Sequence, residues 1–339
     1  MFASSLLHWF SQNGRDLPWR HTRDPYAIWL SEVILQQTRI SQGLDYWSRF
    51  VLRWPNVEAL AGATEDEVLR EWQGLGYYTR ARNLLKTAKE VSRLGHFPCT
   101  HESLLKLKGI GPYTAAAIAS MAFDEDVAVV DGNVYRVLAR HFGVSTPINS
   151  TEGAKEFRLL ANRLLPKGRS TMFNQAMMDF GATLCTPQSP RCNDCPLAET
   201  CFALREDKVG VLPVKERKLV VKERLMAYIY IRCHGKVALH RRSEGDIWQG
   251  LWEPYLCPPE ELPQDLGAPL HLLRRGVRHQ LTHRLVVCDF FLCLPDSAPK
   301  LPDGFLWVDE EALDDYAKPR LVEKLFEAVN QSGQTRGIQ

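Results

Sequence analysis

The chain of 339 residues is 45% hydrophobic and 24% charged, with a net charge of +2 at pH 7. That is enough apolar material for two domains with separate cores, and too balanced a charge for a polyanion-binding surface spread over the whole molecule. No stretch reaches the roughly 18 apolar residues of a membrane-spanning helix, and residues 1–10 lack the basic start and cleavage site of a secretory signal, so a cytoplasmic protein away from membranes is expected.

From Phe2 to about Leu184, apolar residues recur at helical spacing, as in Val68, Leu69 and Trp72 or Leu84, Leu85, Ala88 and Val91. Gly/Pro punctuation at 13–18, 55, 74–76, 95–98 and 109–112 divides them, which predicts an all-α domain. Within WLSEVILQQTRI, Glu32 is surrounded by Leu30, Val33, Ile34 and Leu35. Such surroundings disfavour the ionised carboxylate and mark a candidate general acid, although one Glu taken alone also suits the polar side of an amphipathic helix. In LKGIGPYTAAAIASMAFDEDVAVVDGNV, a Gly109-Ile-Gly111 turn opens an Ala-rich helix at Pro112, and its free amides favour an anion such as a phosphate. A short apolar run, 127–130, then delivers Asp131, which is either a second functional carboxylate or the N-cap of the helix from Val134. Two such groups, one holding its proton and one ionised, suit cleavage of a glycosidic bond through an oxocarbenium-like transition state.

Five of the nine cysteines, Cys99, Cys233, Cys257, Cys288 and Cys293, are scattered and read as reduced, buried small hydrophobes. The other four, Cys185, Cys192, Cys195 and Cys201, have C-x6-C-x2-C-x5-C spacing in a Pro-containing loop. This predicts one metal centre, and the spacing leaves zinc and a 4Fe-4S cluster both open. A charged linker, 203–222, follows; residues 266–288 carry Arg274, Arg275, Arg278 and Arg284 with no acid. Apolar runs of β type at 225–232, 236–242 and 283–294 and a helix at 318–329 predict an α+β second domain over 223–330, with a frayed tail at 331–339.

The segments LPWR (17–20), SEVILQQTR (31–39), GLGYYTRARNL (74–84), LKGIGPYTA (107–115), VDGNVYRVL (130–138) and NQAMMDFGA (174–182), with the four cysteines, resemble the MutY family of adenine DNA glycosylases. The resemblance implies a multidomain fold: an all-α helix-hairpin-helix glycosylase domain over 1–202, with the hairpin near 107–122 and an iron–sulfur loop at 185–201, then a Nudix (MutT-like) domain. It implies a 4Fe-4S cluster on Cys185, Cys192, Cys195 and Cys201. It also implies a monomer acting at the nucleoid on duplex DNA that carries adenine opposite 8-oxoguanine or guanine, and handing its product to downstream repair proteins. Because Tyr113 occupies the position where bifunctional relatives carry a Lys nucleophile, glycosidic hydrolysis without strand cleavage is expected.

In the roles the resemblance implies, Glu32 protonates adenine N7, Asp131 stabilises the cationic sugar and Asn133 positions water or sugar. Trp19, Arg20, Tyr113 and Gln175 contact the adenine, the last standing where some members carry Glu. Gln37 and Tyr77 enter the stack around the extruded base, and Leu281, Thr282 and His283 read the opposite purine, departing from the family's Phe-Ser-His at the first two positions. The Glu-rich box by which active Nudix enzymes hold magnesium is absent after ALHRRSEGDIWQGLWEPYL, so pyrophosphate hydrolysis is not expected. A glycosylase/lyase for oxidised pyrimidines and a catalytically silent DNA-binding or redox-sensing module are the rival readings; Tyr113 and the extra C-terminal domain oppose the first, and Glu32 with Asp131 the second.

Overall fold

The computed structural model describes residues 2–216, 222–281 and 283–333. Thr282, most of the tail and the end of the linker thus lie outside the described residues. The contacts form two compact units, Met1–Gly62 with Asn83–Arg217, and Ala63–Arg82 with Lys218–Gln339.

The helical elements, in chain order, are α1 (Phe2–Asn13), α2 (Pro25–Ile34), α3 (Ile40–Arg53), α4 (Val57–Ala61), α5 (Glu65–Glu71), α6 (Thr79–Leu94), α7 (His101–Leu104), α8 (Pro112–Phe123), α9 (Gly132–Phe142), α10 (Thr151–Leu164), α11 (Ser170–Thr183) and α12 (Phe202–Arg205). In the first unit α2 packs on α8 and α11 on α9. Small side chains permit the first contact: Ala115, Ala116, Ala117 and Ala119 are all buried. A second close approach depends on Gly181 in α11, where a Cβ would lie 2.6 Å from Cβ of Asn133. Leu6, Val137, Leu138, Phe157, Phe173 and Phe180 fill the core around α9 and α11.

The hairpin runs from α7 through a turn into α8. Gly109 has φ +87, and a Cβ there would meet Asn83 Cβ at 2.8 Å, so the turn demands glycine. Gly111, the N-cap, is extended at φ −89 and a Cβ would have nothing within 4 Å; contrary to the sequence reading, only the first of the two glycines is required by backbone conformation. The apolar run before Asp131 forms no strand. Its backbone is satisfied by side chains instead, Ala128 N donating to Asn162 Oδ1 and Val129 N to Asn174 Oδ1, each at 2.9 Å.

The second unit holds β1 (Lys222–Cys233), β2 (Lys236–Arg241), β3 (Trp252–Glu253), β4 (Tyr255–Cys257), β5 (His271–Gln280), β6 (Arg284–Cys293), β7 (Phe305–Asp309) and α13 (Arg320–Gln331). The sheet order is β3-β2-β1-β6-β5, with β4 paired to β1 and β7 to β2. The pair β1–β6 is parallel. Val286, Cys288, Phe290 and Leu292 of β6 alternate onto a core shared with Leu321, Leu325 and Val329 of α13. The three expected runs and the last helix correspond to β1, β2, β6 and α13, while β3, β4, β5 and β7 fall outside the expected runs. Of the cysteines expected to be buried, Cys99 is exposed.

The expected division into 1–202, a linker at 203–222 and 223–330 also misassigns Ala63–Arg82, which belongs to the second unit. Arg241 Nη2 lies 2.8 Å from Asp66 and Arg70 Nη2 2.9 Å from Asp315, while Lys318 N donates to Gln73 Oε1 at 3.2 Å. These partners are far away in sequence, where local patterning gives no signal.

Candidate active site

Trp19, Arg20, Glu32, Tyr113, Asp131, Asn133 and Gln175 line one cavity of about 210 Å³ in the first unit. Each comes from a different local device. Glu32 lies near the end of α2, a helix buried on nearly every face, and is only 6% exposed. Tyr113 stands in the first turn of α8 and donates its hydroxyl hydrogen to Glu32 Oε2. Burial pushes the Glu32 carboxyl up to about 7; the Tyr113 hydrogen bond opposes the rise, the nearby Asp131 carboxylate adds to it and Arg20 moderates it. Glu32 therefore keeps its proton up to about neutral pH, well above the range of a free carboxyl.

Asp131 is both alternatives at once: the N-cap of α9 and a wall of the cavity. Its Oδ1 accepts from Asn133 N at 2.9 Å and Val134 N at 2.8 Å, and its Oδ2 from Asn133 Nδ2 at 2.7 Å. Burial raises this carboxyl too, and the three donors and the Arg136 charge offset only part of the rise. Three N–H donors favour an anion, so of the two carboxyls Glu32 carries the proton. Asn133 is held in turn, its Oδ1 accepting from Arg136 Nη2 at 2.8 Å, while Arg136 Nε donates to the Cys185 carbonyl at 2.7 Å.

Residues not predicted from the sequence complete the wall. On α11, Met178 and Ala182 face the cavity beside the expected Gln175, at helical spacing. Asp179, on that stripe, is fully buried and accepts from Arg15 Nε at 2.9 Å, and from Arg20 Nη1 at 2.9 Å and Nη2 at 2.7 Å. Burial would raise its carboxyl, but the two arginines overcome this and hold it below the usual carboxylate range. Much of the Arg20 donor capacity is thus spent on Asp179 and on the Arg15 carbonyl at 2.8 Å, which makes Arg20 a fixed charge beside Glu32. The (i, i+4) spacing of Gln175 and Asp179 was a usable signal; the distant Arg15 gave none.

Gln37 is not part of this cavity. It is exposed in the turn after α2 with φ +57. Tyr77, in the second unit, is 52% exposed with φ +48. Left-handed backbone at a residue other than glycine costs on the order of 1 kcal/mol or more, and marks both as places where local stability is sacrificed. Tyr77, Leu281 and His283 line one groove of about 690 Å³ within the second unit; Thr282 lies outside the described residues.

Cys185, Cys192, Cys195 and Cys201 border a single cavity with Arg140, Leu184 and Leu204. Burial, and then the other thiolates, push Cys195 up to about 11, and burial with Cys185 and Cys201 raises Cys192. Arg140 Nη1 lies 3.5 Å from Cys185 Sγ. Among the described residues, no three His, Cys, Asp or Glu side chains are gathered closely enough to hold a single ion.

Residues 30–165 match the model of the HhH-GPD superfamily of base excision DNA repair proteins, and residues 227–328 that of the NUDIX domain. The adenine DNA glycosylase of Buchnera aphidicola (subsp. Schizaphis graminum) is 34% identical over 255 residues, covering 74% of this chain and 74% of that protein. The chain belongs to the adenine DNA glycosylase family. The mouse adenine DNA glycosylase is 45% identical over 222 residues, 62% of this chain and 43% of that protein. Among solved structures, a thermostable thymine-DNA glycosylase is 33% identical with a TM-score of 0.57, covering 60% of this chain and 95% of its own. An endonuclease III–DNA complex, 22% identical with a TM-score of 0.53 over 60% of this chain and 94% of its own, shares the fold. As an adenine DNA glycosylase family member, the chain is an enzyme of base excision repair, a hydrolase of N-glycosyl bonds in DNA.

Proposed function

We propose that this glycosylase extrudes adenine mispaired with 8-oxoguanine, or less readily with guanine, and hydrolyses its glycosidic bond without cutting the strand. The observation that carries the reading is the shared cavity of Glu32, Tyr113 and Asp131, with one carboxyl raised to about 7 and the other accepting three N–H hydrogen bonds that favour its anion. Glu32 donates its proton to adenine N7, so the base leaves neutral. Asp131 stabilises the positive charge developing on the sugar, and water completes the hydrolysis. Asn133 fixes the Asp131 carboxylate, Tyr113 orients Glu32, and Trp19, Arg20 and Gln175 bound the space for the base. Tyr113 supplies a phenol where Schiff-base chemistry would need an amine.

Cys185, Cys192, Cys195 and Cys201 would hold a 4Fe-4S cluster. Four thiols spread around a cavity suit a multi-atom cluster, and the mutual repulsion of their thiolates calls for a cationic core. Bound there, the cluster supplies iron–thiolate bonds that cross-link the loop to the helical unit.

In the second unit, Leu281, Thr282 and His283 read the purine opposite the adenine. The test is base release from duplexes with adenine opposite 8-oxoguanine, guanine or cytosine, with and without alkaline cleavage of the product. Release opposite 8-oxoguanine faster than opposite guanine, with strand scission only after alkali, is expected. Equal rates opposite all three, or scission without alkali, would overturn the reading.

A further inference from the structure

The Tyr77 groove in the second unit has a wall that the proposed chemistry does not use. Trp248 lines it together with Leu281 and His283. Trp248 adopts φ +60, left-handed backbone that a bulky side chain rarely accepts. Such strain persists only where the surroundings impose it.

Here the surroundings are a buried ionic network. Arg242 is nearly inaccessible; its Nη1 lies 2.5 Å from Glu253 Oε2, its Nη2 pairs with Asp246 and its Nε donates to the Ile247 carbonyl at 2.7 Å. The fully buried Tyr228 hydroxyl also donates to Glu253 Oε2, at 2.5 Å. Backbone bonds close the turn: Gly250 N to Arg242 O and Leu251 N to Trp248 O, each 3.0 Å. The guanidinium of Arg242 then sits 5.8 Å from the Trp248 ring centroid, and the His279 ring meets the indole at 5.7 Å, edge to face. A large polar network thus fixes the position of one indole.

We propose that Trp248 is a specificity-determining residue of this enzyme, its indole forming the wall on which the purine opposite the target adenine stacks. The groove has the features of a nucleotide site: two aromatic side chains, Tyr77 and Trp248, imidazoles at His279 and His283, and guanidinium groups of Arg82, Arg284 and Arg320 at its margin. Aromatic planes take bases and arginines take phosphates. A ring held rigidly before binding loses little entropy when a base stacks on it, and a hydrogen-bonding neighbour such as His283 then discriminates the 8-oxo form. The proposal rests on the second unit reading the opposite purine.

The test compares full-length wild type, Trp248→Gly, Trp248→Phe and His283→Ala in single-turnover adenine release opposite 8-oxoguanine and opposite guanine. Glycine accepts the left-handed backbone, so Trp248→Gly deletes the indole while relieving the turn, and a thermal melt verifies that it folds. Without the indole the purine is no longer held in register with His283, so the 8-oxoguanine preference of Trp248→Gly should fall at least about fivefold, roughly 1 kcal/mol. Trp248→Phe should restore most of it. If Trp248→Gly keeps the full preference while His283→Ala loses it, the role of Trp248 is wrong and lesion reading by this unit stands. If both keep it, that reading itself fails. An equal loss on both duplexes would make Trp248 a general DNA grip and would also overturn the proposal.

Discussion

Tyr113 and Glu32 meet across the contact of α8 with α2, the phenol donating to the carboxyl oxygen Oε2. The hydrogen bond leaves Glu32 one principal place to send its own proton, the open cavity. General acid assistance is worth roughly 100-fold or more. Glu32→Gln is therefore expected to lose adenine release by at least that factor while still binding the mismatch, as read by single-turnover kinetics and gel shift. Retained turnover within a few-fold of wild type would remove Glu32 from the acid role.

The wild-type rate should fall as pH rises through about 7, because burial raises the Glu32 carboxyl to that value and only the protonated form can donate. A single-turnover pH profile checks this, and a flat profile from pH 6 to 8 would contradict it.

Stability carries the same sign. The folded-state carboxyl of Glu32 titrates near 7 against an ordinary 4.5, so its contribution is fully present below the lower value and is lost as pH rises through the higher. The loss is on the order of 3 kcal/mol once both states are ionised. Glu32→Gln should accordingly melt higher than wild type at pH 8, with the advantage shrinking toward pH 5. A pH-independent difference would mean that Glu32 is not held protonated by the fold.

The two hairpin glycines should separate. Gly109→Ala forces a side chain into left-handed backbone and onto Asn83, which should cost about 1–3 kcal/mol by chemical denaturation. Gly111→Ala has extended backbone and open space around it, so its stability should stay within about 0.5 kcal/mol of wild type. A fall in DNA affinity in that second variant would report close approach of a phosphate to the turn.

Asp179→Ala leaves Arg15 and Arg20 without their shared carboxylate. Breaking a buried pair by removing one partner typically costs about 3–5 kcal/mol. A denaturation midpoint close to wild type would show that the arginines find water or other acceptors.

The sequence makes the first unit more legible than the second for identifiable reasons. Glu32, Tyr113 and Asp131 sit in short segments whose turn and capping chemistry is local, so their types and spacing carry their roles. The pairing of Asp179 with Arg15 crosses 164 positions and leaves no periodic trace. Strand β5 hid for another reason: register shifts lie between Leu272 and Arg274 and between Arg274 and Val277, which break the two-residue alternation that marks a strand. Trp248 lies within a Nudix-like segment, but nothing in its neighbours' identities announces a left-handed backbone.

The membership of Ala63–Arg82 in the second unit gives synthesis an order. On the ribosome this stretch emerges more than a hundred residues ahead of the strands and α13 that complete its surroundings, a wait of roughly ten to fifty seconds at typical elongation rates. Residues on both sides of it can settle into the first unit during that time, with 63–82 left as an unfinished loop bearing Tyr77. The last part of the protein to mature is then the groove, and a ribosome stalled after the cysteine loop would release a chain that has Glu32 and Asp131 in place but no finished groove.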